Sequence, residues 1–193
     1  ISTDLVPAAA PAVTISANGA TSICAGDSVE LDAGPHSYYV WSNGAMTRKI
    51  WVKSTGDYWV RSADSIVGYW GADTLHVTVN ALPPSPNLIL DGARNFCSGD
   101  TTTLKINTVL PYGTTYLWST GDTSANKLVT SSGTYYVTVT DPNGCTSISE
   151  QESLIVYALP HPTITVSGPT EFCSDQSTTL QAPPGYLSYQ WSN

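Results

Sequence analysis

Basic side chains are scarce in this sequence: 7 Lys and Arg stand against 15 Asp and Glu, for a formal charge of −8 and a pI near 4.5. A surface so acidic and so poor in lysine repels phosphate backbones, which argues against nucleic acid as a partner. Charge of either sign is thin, at 11 % of residues, and no amphipathic run of helical period exceeds about two turns. No stretch of apolar residues approaches the roughly 20 that a helix needs to span a bilayer. The three histidines, His36, His76 and His161, show no His-x-x-x-His spacing, and the cysteines no Cys-x-x-Cys spacing, so no metal ligands are expected. No serine sits in a nucleophile-elbow context, and no glycine loop is built to cradle phosphate. The expectation is a protein with no catalytic residues, no metal and no cofactor, and not an enzyme. Nothing resembles a signal peptide, and a start at Ile1 rather than Met is expected of a segment processed or excised from a longer chain.

What is abundant is Thr, Ser and Val, punctuated by 15 Gly and 13 Pro, a mix that suits strands and turns. The chain also repeats itself. Tyr39-Val40-Trp41-Ser42-Asn43-Gly44 returns as Tyr116-Leu117-Trp118-Ser119-Thr120-Gly121 and, in part, as Tyr189-Gln190-Trp191-Ser192-Asn193. Cys24-Ala25-Gly26-Asp27 aligns with Cys97-Ser98-Gly99-Asp100 and with Cys173-Ser174-Asp175-Gln176. From Trp41 to Pro83 the first copy matches Trp118 to Pro160 without insertion, for a period of about 75 residues. Proline-rich joints bound each unit, and proline stiffens them. The expected organisation is residues 1–11 as the tail of a preceding repeat and a linker, 12–83 as repeat one, 84–160 as repeat two, and 161–193 as the first half of a third. That half lacks its later strands and is expected to be unable to bury its inward face alone.

Strand readings follow from alternation. Val13 to Ser16 opens the unit, and Ser28 to Ala33 turns Val29, Leu31 and Ala33 inward. Tyr39 and Trp41 face inward on the next strand, then Tyr58 and Val60, then Leu75, Val77 and Val79. Lys49 to Lys53 has no settled register, because Ile50 and Val52 compete with Trp51 for the core. Short strands at regular spacing argue for an all-β sandwich, repeated in tandem. Its core is expected to hold Trp41, Tyr58 and Leu31 in copy one, and Trp118, Tyr135 and Leu104 in copy two.

These residues resemble the immunoglobulin fold. Gly26-Asp27-Ser28-Val29-Glu30-Leu31-Asp32-Ala33 looks like its strand B, with Ala33 in place of the buried Cys, and Gly56-x-Tyr58-x-Val60 looks like strand F at the tyrosine corner. In copy two the same cysteine places hold Ile106 and Val137, so apolar packing replaces the inter-sheet disulfide while the strand C tryptophan stays. More narrowly, [IF]-C-x-G-D-[ST], Y-x-W-S-[NT]-G and Ser132 to Cys145 resemble Ig-like and PKD-like modules of secreted, gliding-motility-associated and adhesin-like surface proteins of Bacteroidetes-type bacteria. The resemblance implies an extracellular, cell-surface stalk or filament segment of an adhesin. Alternatively it implies an accessory spacer of a secreted polysaccharide-degrading enzyme, and the outward aromatic residues of copy one offer the further alternative of a carbohydrate-binding module. Its implied partners are neighbouring repeats of the same chain, like chains in a filament, or surface glycans. Copy one departs from the pattern in carrying Gly68 where copy two has Cys145.

Within that topology two cysteine pairings are open. Cys97 with Cys145 is intradomain and leaves Cys24 alone; it also asks two opposite ends of a sandwich to meet, since Tyr135 to Cys145 extends about 33 Å and a disulfide needs Cα atoms within roughly 7 Å. Cys24 with Cys145 is interdomain, joining head-to-tail neighbours, with Cys97 left for a later copy. Asp141-Pro142-Asn143-Gly144 reads as a strand-connecting turn, with calcium binding as the alternative. Copy one holds four tryptophans to copy two's one. Alternation turns Tyr38, Trp59, Arg61 and His76 outward on one sheet, where they form a ligand patch for sugar rings, a contact with a neighbour, or plain surface. Trp51 and Trp70 have no place in this reading.

Overall fold

The computed structural model describes residues 10–65 and 69–192. Residues 1–9, which include most of the expected tail, together with Gly68 and Asn193, lie outside the described residues.

In the first repeat, β1 (Ser16–Asn18), β3 (Val29–Asp32) and β5 (Lys49–Val52) form one antiparallel sheet. The facing sheet has the order β2 (Ser22–Cys24), β7 (Gly71–Asn80), β6 (Gly56–Ala63), β4 (Tyr38–Trp41). β2 runs parallel to β7, so the opening strand serves both sheets. This is an immunoglobulin-like β-sandwich. The sequence placed that strand at Val13 to Ser16; the ladder begins only at Ser16. Val13 and Ile15 still pack on the core, and the Ile15 N–H donates to Asp73 Oδ2 at 2.7 Å instead of to a strand.

The core is the set that alternation selects. Val29, Leu31, Ala33, Trp41, Val60 and Val77 are all buried, and Tyr39, Tyr58 and Leu75 pack against them. On β5 the pairing Leu31↔Ile50 and Val29↔Val52 settles the register: Ile50 and Val52 go inward, and Trp51 stands 61 % exposed. Ser62 sits on this inner face, fully buried, and its hydroxyl has no hydrogen-bond partner among the described residues. Copy two carries Val139 there, equally buried. An orphaned buried hydroxyl costs about 1–3 kcal/mol. Ser62→Ala is therefore expected to stabilise the first sandwich by about 1 kcal/mol, seen as a rise in its thermal midpoint; an unchanged or lower midpoint contradicts this.

The second repeat repeats the plan. β8 (Leu88–Asp91), β10 (Thr102–Ile106) and β12 (Asn126–Val129) make one sheet. The other comprises β9 (Asn95–Cys97), parallel to β16 (Glu152–Tyr157), with β13 (Gly133–Tyr135), β14 (Val137–Thr140), β11 (Thr115–Trp118) and β15 (Thr146–Ile148). Tyr135 pairs with Glu152 but Thr138 with Ile148, so β15 and β16 are one strand interrupted by a bulge with one extra residue. Ser149 fills the break: its hydroxyl accepts from Val137 N–H at 3.0 Å and its own N–H donates to the Val137 carbonyl.

The repeated W-S-[NT]-G stretch now has its physical reason. Trp41 and Trp118 are each 1 % exposed. Each indole N–H donates at 2.8 Å to a backbone carbonyl of the following loop, Thr47 and Ser124 respectively. Gly44 (φ 84°) and Gly121 (φ 83°) then turn the chain in the left-handed region that glycine favours. In copy two the turn is reinforced by Asp122, whose carboxyl is held down at about 2 by hydrogen bonds from the Ser124 N–H and hydroxyl, and then by Lys127. Tyrosine corners close both sandwiches, Tyr58 Oη donating to the Ser54 carbonyl at 2.9 Å and Tyr135 Oη to that of Ser131 at 2.8 Å.

The third copy shows two paired strands, β17 (Thr165–Ser167) and β18 (Thr179–Gln181). Leu180 is 49 % and Trp191 45 % exposed, whereas Leu31 and Leu104 are fully buried. No strand among the described residues covers this face. One local lock persists without a core: Tyr189 Oη donates to the Pro183 carbonyl at 2.8 Å, much as Tyr39 Oη does to that of Gly34 at 2.9 Å.

Candidate functional site

No strand pairing among the described residues runs between 16–80 and 88–157, so whatever holds the two sandwiches in register lies in their joint. Two turns build it. In the first sandwich, β2 ends beside Asn80, whose side-chain amide donates to Ser22 Oγ at 2.9 Å and to the Ile23 carbonyl at 3.2 Å. The chain then turns at Gly26 (φ 101°), with the Asp27 N–H on the Cys24 carbonyl. In the second sandwich, Asp141 Oδ1 accepts from the N–H of Asn143 at 2.9 Å and of Cys145 at 2.8 Å, folding Asp141 to Cys145 into a tight hairpin. A carboxylate oxygen that takes two N–H groups of its own turn fits the plain-turn reading of this stretch.

Cys24 and Cys145 are joined by a disulfide with Cα atoms 5.5 Å apart, across 121 residues of sequence. Cys97 and Cys173 are free and exposed. The intradomain alternative, Cys97 with Cys145, is not formed. Cys97 lies beside Tyr157 at the far end of β16, while Cys145 sits before β15, so the length of that strand separates them. The linker adds two polar contacts. Ser147 Oγ donates to the Pro83 carbonyl at 2.7 Å, and Ser85 Oγ to the Ile148 carbonyl at 2.8 Å. Pro83 and Pro86 are buried, whereas Pro160 and Pro162 of the next joint are exposed. Sequence reasoning found the cysteines and the prolines but not Ser85 and Ser147, whose serine character carries no signal by itself.

The second candidate is the outer face of the first sandwich. Pairing sets Tyr38 opposite Ala63, Arg61 opposite Val40 and Ala72, Trp59 opposite Thr74, and His76 opposite Asp57. Tyr38 and Trp59 are 40 % and 42 % exposed. The four residues share a face but spread along it. His76 is held at the far end by Asp57 Oδ1, 2.6 Å from its Nδ1. A shallow cleft forms in the middle, lined by Val40, Trp59, Arg61 and Trp70. Trp70 is the residue that alternation missed, because it precedes the first paired residue of β7. Among the described residues no three His, Cys, Asp or Glu side chains gather as a metal site. Likewise no helix is long and apolar enough to cross a membrane.

No family model matches the chain, and no curated protein matches it. Among solved structures it is similar to murine CEACAM1b, at 13 % identity and a TM-score of 0.39 over 75 % of this chain and 100 % of that one. It is similar also to the human OSCAR ligand-binding domain, at 16 % identity and a TM-score of 0.33 over 77 % of this chain and 100 % of that one. A third is the set of three N-terminal domains of the bacteriophage RB49 highly immunogenic outer capsid protein Hoc, at 16 % identity and a TM-score of 0.38, over 81 % of this chain and 61 % of that one.

Proposed function

We propose that this chain is a segment of an extracellular stalk or filament of a bacterial surface adhesin, built from tandem Ig-like sandwiches and without enzymatic activity. The observation that carries the reading is the Cys24–Cys145 bridge, which binds one sandwich to the next rather than one sheet to another. A bond inside a sandwich stabilises that sandwich alone. A bond between two sandwiches, beside a linker with buried prolines, fixes their mutual angle and makes a stiff joint. A disulfide also fits a protein that works outside the reducing cytosol. Ser85 and Ser147 fasten the linker to the second sandwich within a few residues of the bridge. The partners on this reading are further repeats of the same chain and like chains alongside, and the sequence resemblance favours a Bacteroidetes-type surface protein.

Small-angle scattering of the whole chain tests the proposal. A compact globule of this length has a radius of gyration of about 16 Å. An end-to-end array is expected to exceed that clearly, with a narrow distribution of long dimensions that broadens on reduction of the bridge. A value near that of the globule, indifferent to reductant, overturns the reading.

A further inference from the structure

The first sandwich carries an arrangement that the second lacks. Strand alternation turns Trp59 and Arg61 outward on β6, and the small Ala72 and the branched Val40 flank Arg61 on either side. Trp70 completes the cleft. The corresponding places in the second sandwich, matched through the strand ladders, hold Leu117, Tyr136, Thr138 and Thr146. The same fold is thus built without two indoles and a guanidinium on this face, so packing does not require them. Charge sharpens the contrast. Of the three arginines, Arg48 pairs with Asp32 and Arg94 with Glu152, while Arg61 has no carboxylate partner among the described residues. An exposed guanidinium without a partner, in a chain of net charge −8, is a point of attraction for an anion on an otherwise repelling surface.

We propose that the cleft of Val40, Trp59, Arg61 and Trp70 binds a uronic-acid residue of an acidic polysaccharide, an activity beyond the mechanical role proposed above. A uronate offers two features that these side chains complement together. Its pyranose ring has a flat face of C–H bonds that lies against an indole, where an aromatic surface contributes area at little conformational cost. Its carboxylate matches the planar fork of a guanidinium, which bonds it through two parallel N–H groups. A neutral hexose satisfies the indoles alone, and an inorganic anion satisfies the arginine alone. Polysaccharide is favoured over a protein partner because the cleft is small and open, whereas a stable protein contact needs about 800 Å² on each side.

The test is calorimetric titration of the full chain with an oligogalacturonate, beside a neutral oligoglucoside of equal length. The oligogalacturonate is expected to bind at least tenfold more tightly, and the more so at low salt. Arg61→Met keeps the aliphatic stem and removes the charge; it is expected to erase that tenfold preference, and Arg61→Lys to restore part of it. Trp59→Ala is expected to abolish binding of both sugars. Arg61 is exposed, so its variants retain the fold even where the Trp59 variant proves unstable. Absence of oligogalacturonate binding at millimolar concentration, equal affinity for the two oligomers, or binding indifferent to Arg61→Met overturns the proposal.

Discussion

Stretched from its two ends in a single-molecule force experiment, the oxidised protein is expected to yield far less length than the reduced one. Tension entering the first sandwich travels along β1 and β2 to Cys24, crosses the bridge to Cys145, and leaves through β15 and β16. The sequence between the two cysteines, 121 residues apart, is off that path whether or not it is folded. A residue released from a fold adds roughly 3.3–3.6 Å of contour. Reduction, or Cys145→Ser, is thus expected to add about 400 Å to the final extension. The same bridge closes a long loop in the unfolded chain, and its loss is expected to lower stability by about 2–4 kcal/mol. Equal final extensions with and without reductant contradict this path.

Trp118→Ala is expected to destabilise the second sandwich by about 3–5 kcal/mol. The indole is 1 % exposed and packs among Leu104, Val129, Val137 and Val139, all fully or almost fully buried. Its removal empties the centre of a small core and deprives the Ser124 carbonyl of its donor. Domains of this size are commonly stable by only about 5–15 kcal/mol, so a large part of the margin goes. Urea unfolding measures the loss, and hydrogen exchange locates it: protection is expected to fall across β8 to β16 while the strands around Trp41 keep theirs. Trp51→Ala, at an indole 61 % exposed, is the control and is expected to change stability by no more than about 0.5 kcal/mol. A loss below about 1 kcal/mol for Trp118→Ala is incompatible with its place in the core.

Much of the fold was legible because alternation and repetition spoke together. Leu31 and Ala33, or Tyr39 and Trp41, each had an apolar partner in the next copy saying the same thing. Lys49 to Lys53 was illegible for a definite reason: Ile50, Trp51 and Val52 are all apolar, so period two has two solutions until Glu30↔Trp51 pairing chooses one. The Ser149 bulge was invisible because copies of equal length hide a change of register. In copy one Asp64, just after β6, reaches His36 at 2.9 Å, and Gly71 pairs with Ser62. In copy two Asp141 tightens the same stretch into a short hairpin, and the residue this frees becomes the bulge. The cysteines stood in the sequence as two arrangements that composition left open. The outer face gave up Trp59 and Arg61 to alternation, yet Trp70 lies before its strand, where alternation has no grip.

The two halves of the joint are unlike one another, and that gives it a direction. One side is a hairpin that presents a buried cysteine; the other is a turn after a short parallel strand, and the turn at Cys97 reproduces it, down to the Asp100 N–H on the Cys97 carbonyl at 3.0 Å, as Asp27 does on Cys24 at 3.0 Å. A plug that fits a socket of different shape does not pair with its own kind, so such contacts do not close into twofold dimers. On the stalk reading proposed above, a contact repeated in this way gives an array whose two ends differ.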